Sequence, residues 1–336
     1  AQYLWIASHQ PDIWSKTDKY LNLSGFLNFR LSGEYVDSLA SQVAYLPFDY
    51  KNLKWAPESD WRYRLLPGFS SDLFPKLFRP ATVMARITEQ ASEATGIPSD
   101  IPLVASASDK ACEILGSGGR SSDVACMSYG TTATINTTNR KYIEPMRFMP
   151  AYPSAIPEHF CSEIMIFRGF WMVSWFKKEF GLREQKLAES KNVSPESLFD
   201  ELVNTVPPGS MGLMLQPYWT PGVRDPGPEA KGGIIGFGDV HTRAHVYRAI
   251  LEGLAYGLRE GMEKLEKRNG EKVTLLRVSG GGSQSDAALQ LTADIFGLPV
   301  ERPHTYETSG LGAAMAAAVA LGWYPDCAAA ISNMTR

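Results

Sequence analysis

Residues 279–285 read Ser279-Gly280-Gly281-Gly282-Ser283-Gln284-Ser285 and stand between an apolar segment, 273–278, and a helical segment, 286–296. A strand that breaks into consecutive glycines and then enters a helix brings bare backbone N–H groups and a helix N-terminus to one spot. That arrangement suits a nucleotide or another anion. A glycine run also marks tight turns and close helix-strand packing, and these seven residues alone do not separate the two readings.

The rest of the chain shows alternating helix and strand signals with no repeat and no low-complexity stretch, which predicts an α/β fold. Apolar and aromatic residues at mixed three- and four-residue spacings predict a helix over 3–21, after which Pro47, Pro57, Pro67, Pro75 and Pro80 break the first region into loops. A short helix over 88–95 is closed by Gly96 at the C′ position. A small-residue strand, 101–107, then leads into Ser108-Asp109-Lys110 and a helix from Ala111, and the domain boundary falls there. Beyond it, 124–129 and 130–135 predict a hairpin turning at Gly130-Thr131-Thr132. The stretch 245–265 predicts a long amphipathic helix with Val246, Ile250, Leu254 and Leu258 on one stripe. The Ala-rich stretch 311–323 reads as a buried helix.

Composition excludes several classes. With 336 residues and 44% hydrophobic side chains, the chain can bury cores for about two domains. A net charge of -3 with dispersed Lys and Arg gives no nucleic-acid footprint, and no apolar stretch is long enough to span a membrane. Cys112, Cys126, Cys161 and Cys327 lie far apart in apolar surroundings, which predicts buried free thiols and a cytoplasmic protein. Ala1 is not an initiator methionine.

Several segments together carry a family resemblance. Gly232-Gly233-Ile234-Ile235-Gly236-Phe237, a gap, and His245-Val246-Tyr247-Arg248-Ala249-Ile250-Leu251-Glu252-Gly253 closely resemble the second signature of the FGGY carbohydrate kinases, which include xylulokinases and glycerol kinases. The glycine loop, with 293–300 and 307–314 after it, resembles the adenosine-binding stretch of that family. Matches at 26–34, 96–98, 108–109, 128–132 and 217–224 follow in the expected order. The resemblance implies an actin-like, ribonuclease H-like fold of two domains with the ligand cleft between them. Residues 1–107 would be the C-terminal part of the first domain, and 108–336 the nucleotide-binding domain. In the family, domain one begins with an Asp-x-Gly-Thr phosphate loop upstream of what Trp5 and Ile6 resemble, so the resemblance implies an incomplete first domain.

It further implies ATP-dependent phosphorylation of a hydroxyl on a small sugar, ketose, polyol or sugar acid, with Mg²⁺ as cofactor. Moving a phosphoryl group to a hydroxyl calls for a carboxylate to accept the proton, and Asp109 matches the family's catalytic base. From its residue type alone, Asp109 reads more readily as a helix N-cap, since Asp is among the best capping residues. Lys110 stands where the family has Gln or Asn; it would select an acidic or strongly polar substrate, or form an ion pair with Glu113. Gly130, Thr131 and Thr132 would approach the phosphates, and Gly281, Gly282 and Ser285 the adenosine, with 307–312 supporting that pocket by helix packing. Residues 170–176 are dense in aromatics and read as core, while Arg168 and Gly169 before them are placed to reach the cleft. His241 and His245 lie four apart, but no third ligand accompanies them, so they are not read as a zinc site. Arg224-Asp225-Pro226 reads as a loop bordering the cleft. The resemblance leaves the oligomeric state open, a homodimer among the arrangements it allows, and the alternatives to a kinase are a catalytically silent binding module and an actin-like ATPase.

Overall fold

The computed structural model describes residues 2–336 except 45, 67, 148, 194 and 223–225. Its first region holds helices Gln2–His9 and Pro11–Trp14, then Leu23–Ser32, ended by Gly33 at φ 75°. The single long helix expected over 3–21 is therefore shorter and divided. Pro11 has no N–H to continue the first helix, and the polar run from Ser15 to Lys19 offers no apolar stripe to extend the second. Among the described residues three small sheets follow, Val36–Ser38 parallel to Lys76–Phe78, Phe48–Asp49 antiparallel to Lys54–Trp55, and Thr82–Arg86 antiparallel to Pro102–Ala105. Between the last two strands, Thr88 caps helix Glu89–Thr95 and Gly96 closes it at φ 75°, as its sequence predicts.

The second region is built on a six-stranded sheet in the order Val300–Glu301, Leu275–Ser279, Val124–Tyr129, Ala133–Asn139, Phe160–Ile166, Tyr152–Pro153. The first three strands are parallel, and the remaining neighbours are antiparallel. The expected hairpin is present, with Tyr129 paired to Ala133 across the Gly130-Thr131-Thr132 turn. Because side chains alternate between the faces of a strand, the sheet has two different surfaces. Met127, Tyr129, Ile135, Ile164 and Ile166 join the main apolar core on one face. Cys126, Asn136 and Glu163 lie side by side in register on the other.

Helix Arg243–Asn269 covers the apolar face. Its stripe buries Ile250, Leu254, Leu258 and Leu265 at 0–1% exposure, each contributing about 1.5–3 kcal/mol of transfer free energy. Helix Asp109–Gly116 covers the polar face, and Ile114 meets Cys126 and Cys161 there. Helix Thr308–Ala320 crosses it so closely that a Cβ on Gly116 would lie 2.0 Å from the Thr308 carbonyl oxygen. One on Gly312 would lie 1.9 Å from that of Cys112. Residues 307–312 thus support the Asp109 helix by direct contact, and they are absent from the lining of the cavity described below. Trp323, expected within this buried helix, lies beyond its end and is exposed.

All four cysteines are free and buried, and burial pushes the thiols of Cys126 and Cys161 up to about 12. Among the described residues, no helix is long and apolar enough to cross a membrane.

Candidate active site

Strands Val124–Tyr129 and Leu275–Ser279 are adjacent, parallel and in register from Leu275 opposite Val124 to Ser279 opposite Ser128. Their carboxyl ends release two loops side by side, the Gly130 turn and the three-glycine loop, where ligands gather in open α/β sheets. Gly280, at φ 83°, lies against the backbone of Tyr129, so its position demands both the left-handed conformation and the missing side chain.

A third segment ties the loops together. The N–H of Gly169 donates to the Thr131 carbonyl at 2.8 Å, and that of Phe170 to the Gly130 carbonyl at 3.0 Å. The Phe170 ring stacks on Tyr129 with centroids 4.3 Å apart. A Cβ on Gly282 would sit 2.4 Å from that ring, whereas one on Gly281 would meet nothing within 4 Å. The two adjacent glycines therefore differ: Gly282 admits Phe170, and Gly281 presents open backbone.

These elements wall a cavity of about 790 Å³ lined by Gly130, Thr131, Gly281, Gly282 and Ser285. Five of the six residues assigned to the nucleotide from sequence thus meet at one place. Thr132 is outside the lining, and its hydroxyl donates to the Phe167 carbonyl at 3.2 Å. Phe170, Trp171, Lys177 and Asp200 also line the wall, and no motif of the sequence marks them as site residues. The segment 170–176 is consequently core on one side, with Met172 and Phe176 fully buried, and cavity wall on the other. Arg168 stacks over Trp171, 4.9 Å from the ring centroid, and a Cβ on Gly169 would lie 2.2 Å from the Ala133 nitrogen.

The start of helix Asp286–Phe296 is already occupied. The Ser285 hydroxyl accepts from the Ala288 N–H at 3.1 Å and donates to Asp200 at 2.5 Å, while Asp200 also takes backbone bonds from residues 286 and 287. Burial outweighs those bonds and raises the Asp200 carboxyl above its ordinary range. A carboxylate of the protein itself therefore satisfies the helix end where an anion was the first expectation, leaving this side of the cavity to a neutral group.

The Asp109 helix starts at the same end of the sheet, on its other face. Ser108 is the N-cap, its hydroxyl accepting from the Ala111 N–H at 3.3 Å. That leaves Asp109 at the first helical position with an exposed carboxylate, which among the described residues accepts only the neighbouring Lys110 N–H at 2.7 Å. The reading of Asp109 as an N-cap is thereby replaced by Ser108.

Lys110 forms an ion pair with Glu113. Glu113 also accepts the Ser279 hydroxyl at 2.8 Å, linking this helix to the strand that feeds the glycine loop. Burial works to raise Glu113, but the Lys110 charge and hydrogen bonds from Lys110, Ser128 and Ser279 hold it below its ordinary range. Glu163 is pushed up to about 7 by burial; Lys110 opposes the shift, and Glu113 and Asp109 add to it. No motif marks Glu163, a single carboxylate within an apolar strand.

Other sequence candidates resolve as helix ends. His245 accepts the Thr242 N–H at 3.1 Å at the start of the long helix, and His241 accepts the Gly238 N–H at 2.7 Å. Arg224 and Asp225 lie outside the described residues.

A sheet of this order, with a nucleotide-sized cavity beyond its parallel strands and a smaller region before it, is the actin-like ATPase fold of two domains. The N-terminal domain model of the FGGY family of carbohydrate kinases matches residues 2–116, and the C-terminal domain model matches 125–321. The chain belongs to the FGGY family of carbohydrate kinases. It is 33% identical over 317 residues to the uncharacterized sugar kinase YgcE of Escherichia coli strain K12, covering 94% of this chain and 63% of that protein. It is 26% identical over 324 residues to the xylulose kinase of Staphylococcus epidermidis strain ATCC 12228, covering 96% and 62%. The gluconate kinase structure from Lactobacillus acidophilus superposes with a TM-score of 0.85 at 24% identity, covering all of this chain and 65% of that one. The chain therefore spans a little under two thirds of the length of these relatives.

Proposed function

We propose that the protein transfers a phosphoryl group from ATP to a hydroxyl of a small sugar, ketose or polyol, with Asp109 as general base. The observation that carries this reading is the Asp109 carboxylate itself. Ser108 relieves it of capping, and it stands exposed at the end of the sheet where the two ligand loops emerge. A carboxylate so placed can take the acceptor's proton as the new O–P bond forms. We place adenosine against Gly281 and Gly282, held on a wall that Ser285 stiffens through Asp200, and the phosphates toward Gly130, Thr131 and Thr132. The division between domains is set at 107/108, and the cytoplasm is the proposed compartment.

The donor set bears on the metal. Among the described residues no cluster of three or more His, Cys, Asp or Glu forms a ready cage. An exposed single carboxylate suits Mg²⁺, which keeps much of its water and is carried largely by nucleotide phosphates. Asp109 would be its protein neighbour, and the bound ion would neutralise phosphate charge.

Charge also bears on the acceptor. The ammonium of Lys110 is matched by Glu113, and the exposed Asp109 carboxylate adds negative charge beside it. This supports an uncharged acceptor over a sugar acid. Xylulose and gluconate, the substrates named in two relatives, represent the two classes.

The test is ADP release with and without pentuloses, hexuloses, polyols and aldonates. Release that depends on a neutral sugar, and is lost in Asp109→Ala with ADP affinity retained, is the expected result. Sugar-independent release would make the protein an ATPase, and nucleotide binding without turnover would make it a silent module. Lys110→Gln is expected to leave the ranking of neutral sugars over aldonates unchanged; a swing toward neutral sugars from an aldonate preference would restore the acid-selecting role.

A further inference from the structure

A larger cavity, about 900 Å³, opens at the other end of the central sheet. Residues 120–122 precede strand Val124–Tyr129, and residues 140–141 follow strand Ala133–Asn139, so both border the end opposite the Gly130 turn. At about 3.3 Å per residue, strands of six and seven residues put the two cavities on the order of 20 Å apart. Residues 79–82, from the first region, form one wall, and the second region forms the rest.

Charge in this cavity is unbalanced. Four cations border it, Arg79, Arg120, Arg140 and Lys141, with His159 beside them and two acids, Glu271 and Asp326. Arg79 is tied to Glu158 at 3.0 Å. Both acids are also engaged: Glu271 accepts the Ser122 hydroxyl, and Asp326 caps helix Cys327–Met334 by accepting the Ala329 N–H at 2.8 Å. Among the described residues, Arg120, Arg140 and Lys141 take part in no ion pair. A concave wall with cations of one sign focuses a positive potential, and guanidinium groups match phosphate geometry.

We propose that this cavity is a second ligand site, for a small phosphate-bearing anion, separate from the nucleotide cavity. Its volume accommodates more than inorganic phosphate, which directs the choice to a phosphorylated sugar or a nucleotide. Because residues 79–82 belong to the first region and Arg120, Arg140 and Lys141 to the second, an occupant touches both. Its affinity therefore depends on how the two regions are disposed, and by linkage its binding shifts the ligand cleft at the far end.

Binding by calorimetry decides the matter, with inorganic phosphate, tripolyphosphate, a hexose monophosphate and ATP as probes, each with and without saturating ADP. The comparison protein carries Arg120→Gln, Arg140→Gln and Lys141→Gln, three changes at exposed side chains. One saturable site is expected that persists in excess ADP, weakens at least tenfold in the triple variant, and protects the amides of 120–122 and 138–141 from exchange. Tighter binding of the hexose phosphate or of ATP identifies the source of the phosphate. Equal binding by the triple variant, complete competition by ADP, or no saturable binding of any probe overturns the proposal.

Discussion

The adjacent glycines of the three-glycine loop offer a paired test, Gly281→Ala against Gly282→Ala. In Gly282→Ala the new methyl lies 2.4, 2.6 and 2.9 Å from three atoms of the Phe170 ring, far inside contact distance. Phe170 has little freedom to yield. Its ring is stacked on Tyr129, whose hydroxyl meets that of Thr292 at 2.5 Å, and its own N–H is bonded to Gly130. Overpacking of this kind costs about 1–3 kcal/mol. The stiffer unfolded chain returns about 0.4–1 kcal/mol, so the net loss is on the order of 1–2 kcal/mol. In Gly281→Ala the methyl meets nothing within 4 Å, and the backbone lies outside the left-handed region, so the same unfolded-state effect makes this variant equal to or slightly more stable than the parent. Urea unfolding is expected to separate the two by roughly 2 kcal/mol. ADP titration is expected to show weaker binding in both, through a displaced Phe170 in one and a methyl inside the cavity in the other. Equal stability of the two variants would refute the locked Phe170. Full ADP affinity in Gly281→Ala would remove the nucleotide from this loop.

Three further outcomes follow from the same geometry. Glu163 holds a proton in the folded state up to about pH 7 that the unfolded chain releases near its ordinary 4.5, so stability falls as pH rises between these values, by on the order of 3 kcal/mol. Glu163→Gln is expected to flatten that fall and to be the more stable form at pH 8 and close to the parent at pH 4; parallel urea midpoints across this range would contradict it. Ser285→Ala removes a helix cap and one donor to Asp200, a loss of about 1–2 kcal/mol with reduced ADP affinity, and unfolding midpoints within error of the parent would count against it. Gly312→Ala sets a methyl 1.9 Å from a backbone oxygen that no rotamer change can clear, so a loss of about 3 kcal/mol or more is expected, with sugar-dependent turnover falling as the Asp109 helix shifts; unchanged urea stability would refute the close crossing.

How much of this was legible in the chain depends on whether a feature is local. The hairpin at Gly130, the strand and helix around the glycine loop, and the long helix with Ile250, Leu254 and Leu258 inward were all readable, because period and turn chemistry lie within a few residues of one another. Ser108 and Asp109 mark the limit of local reading. Both are good caps, and only the fold decides that the serine accepts from Ala111 and leaves the aspartate free. Phe170, Lys177 and Asp200 were out of reach because no spacing joins them to a loop about a hundred residues later. The same distance hid what Gly282 does. Its missing side chain serves a ring 112 positions earlier, whereas that of Gly281 serves open space, and in sequence the two residues are indistinguishable. Glu163 shows the reverse case: its strand was easy to miss as a site because it reads as apolar, yet the sheet register sets that carboxylate beside Asn136 under the Asp109 helix, where burial, opposed by Lys110 and aided by Glu113 and Asp109, makes it titrate near neutrality. A motif therefore locates the ends of strands where chemistry gathers, while the charges that tune the chemistry come from register and from helices crossing on the far face.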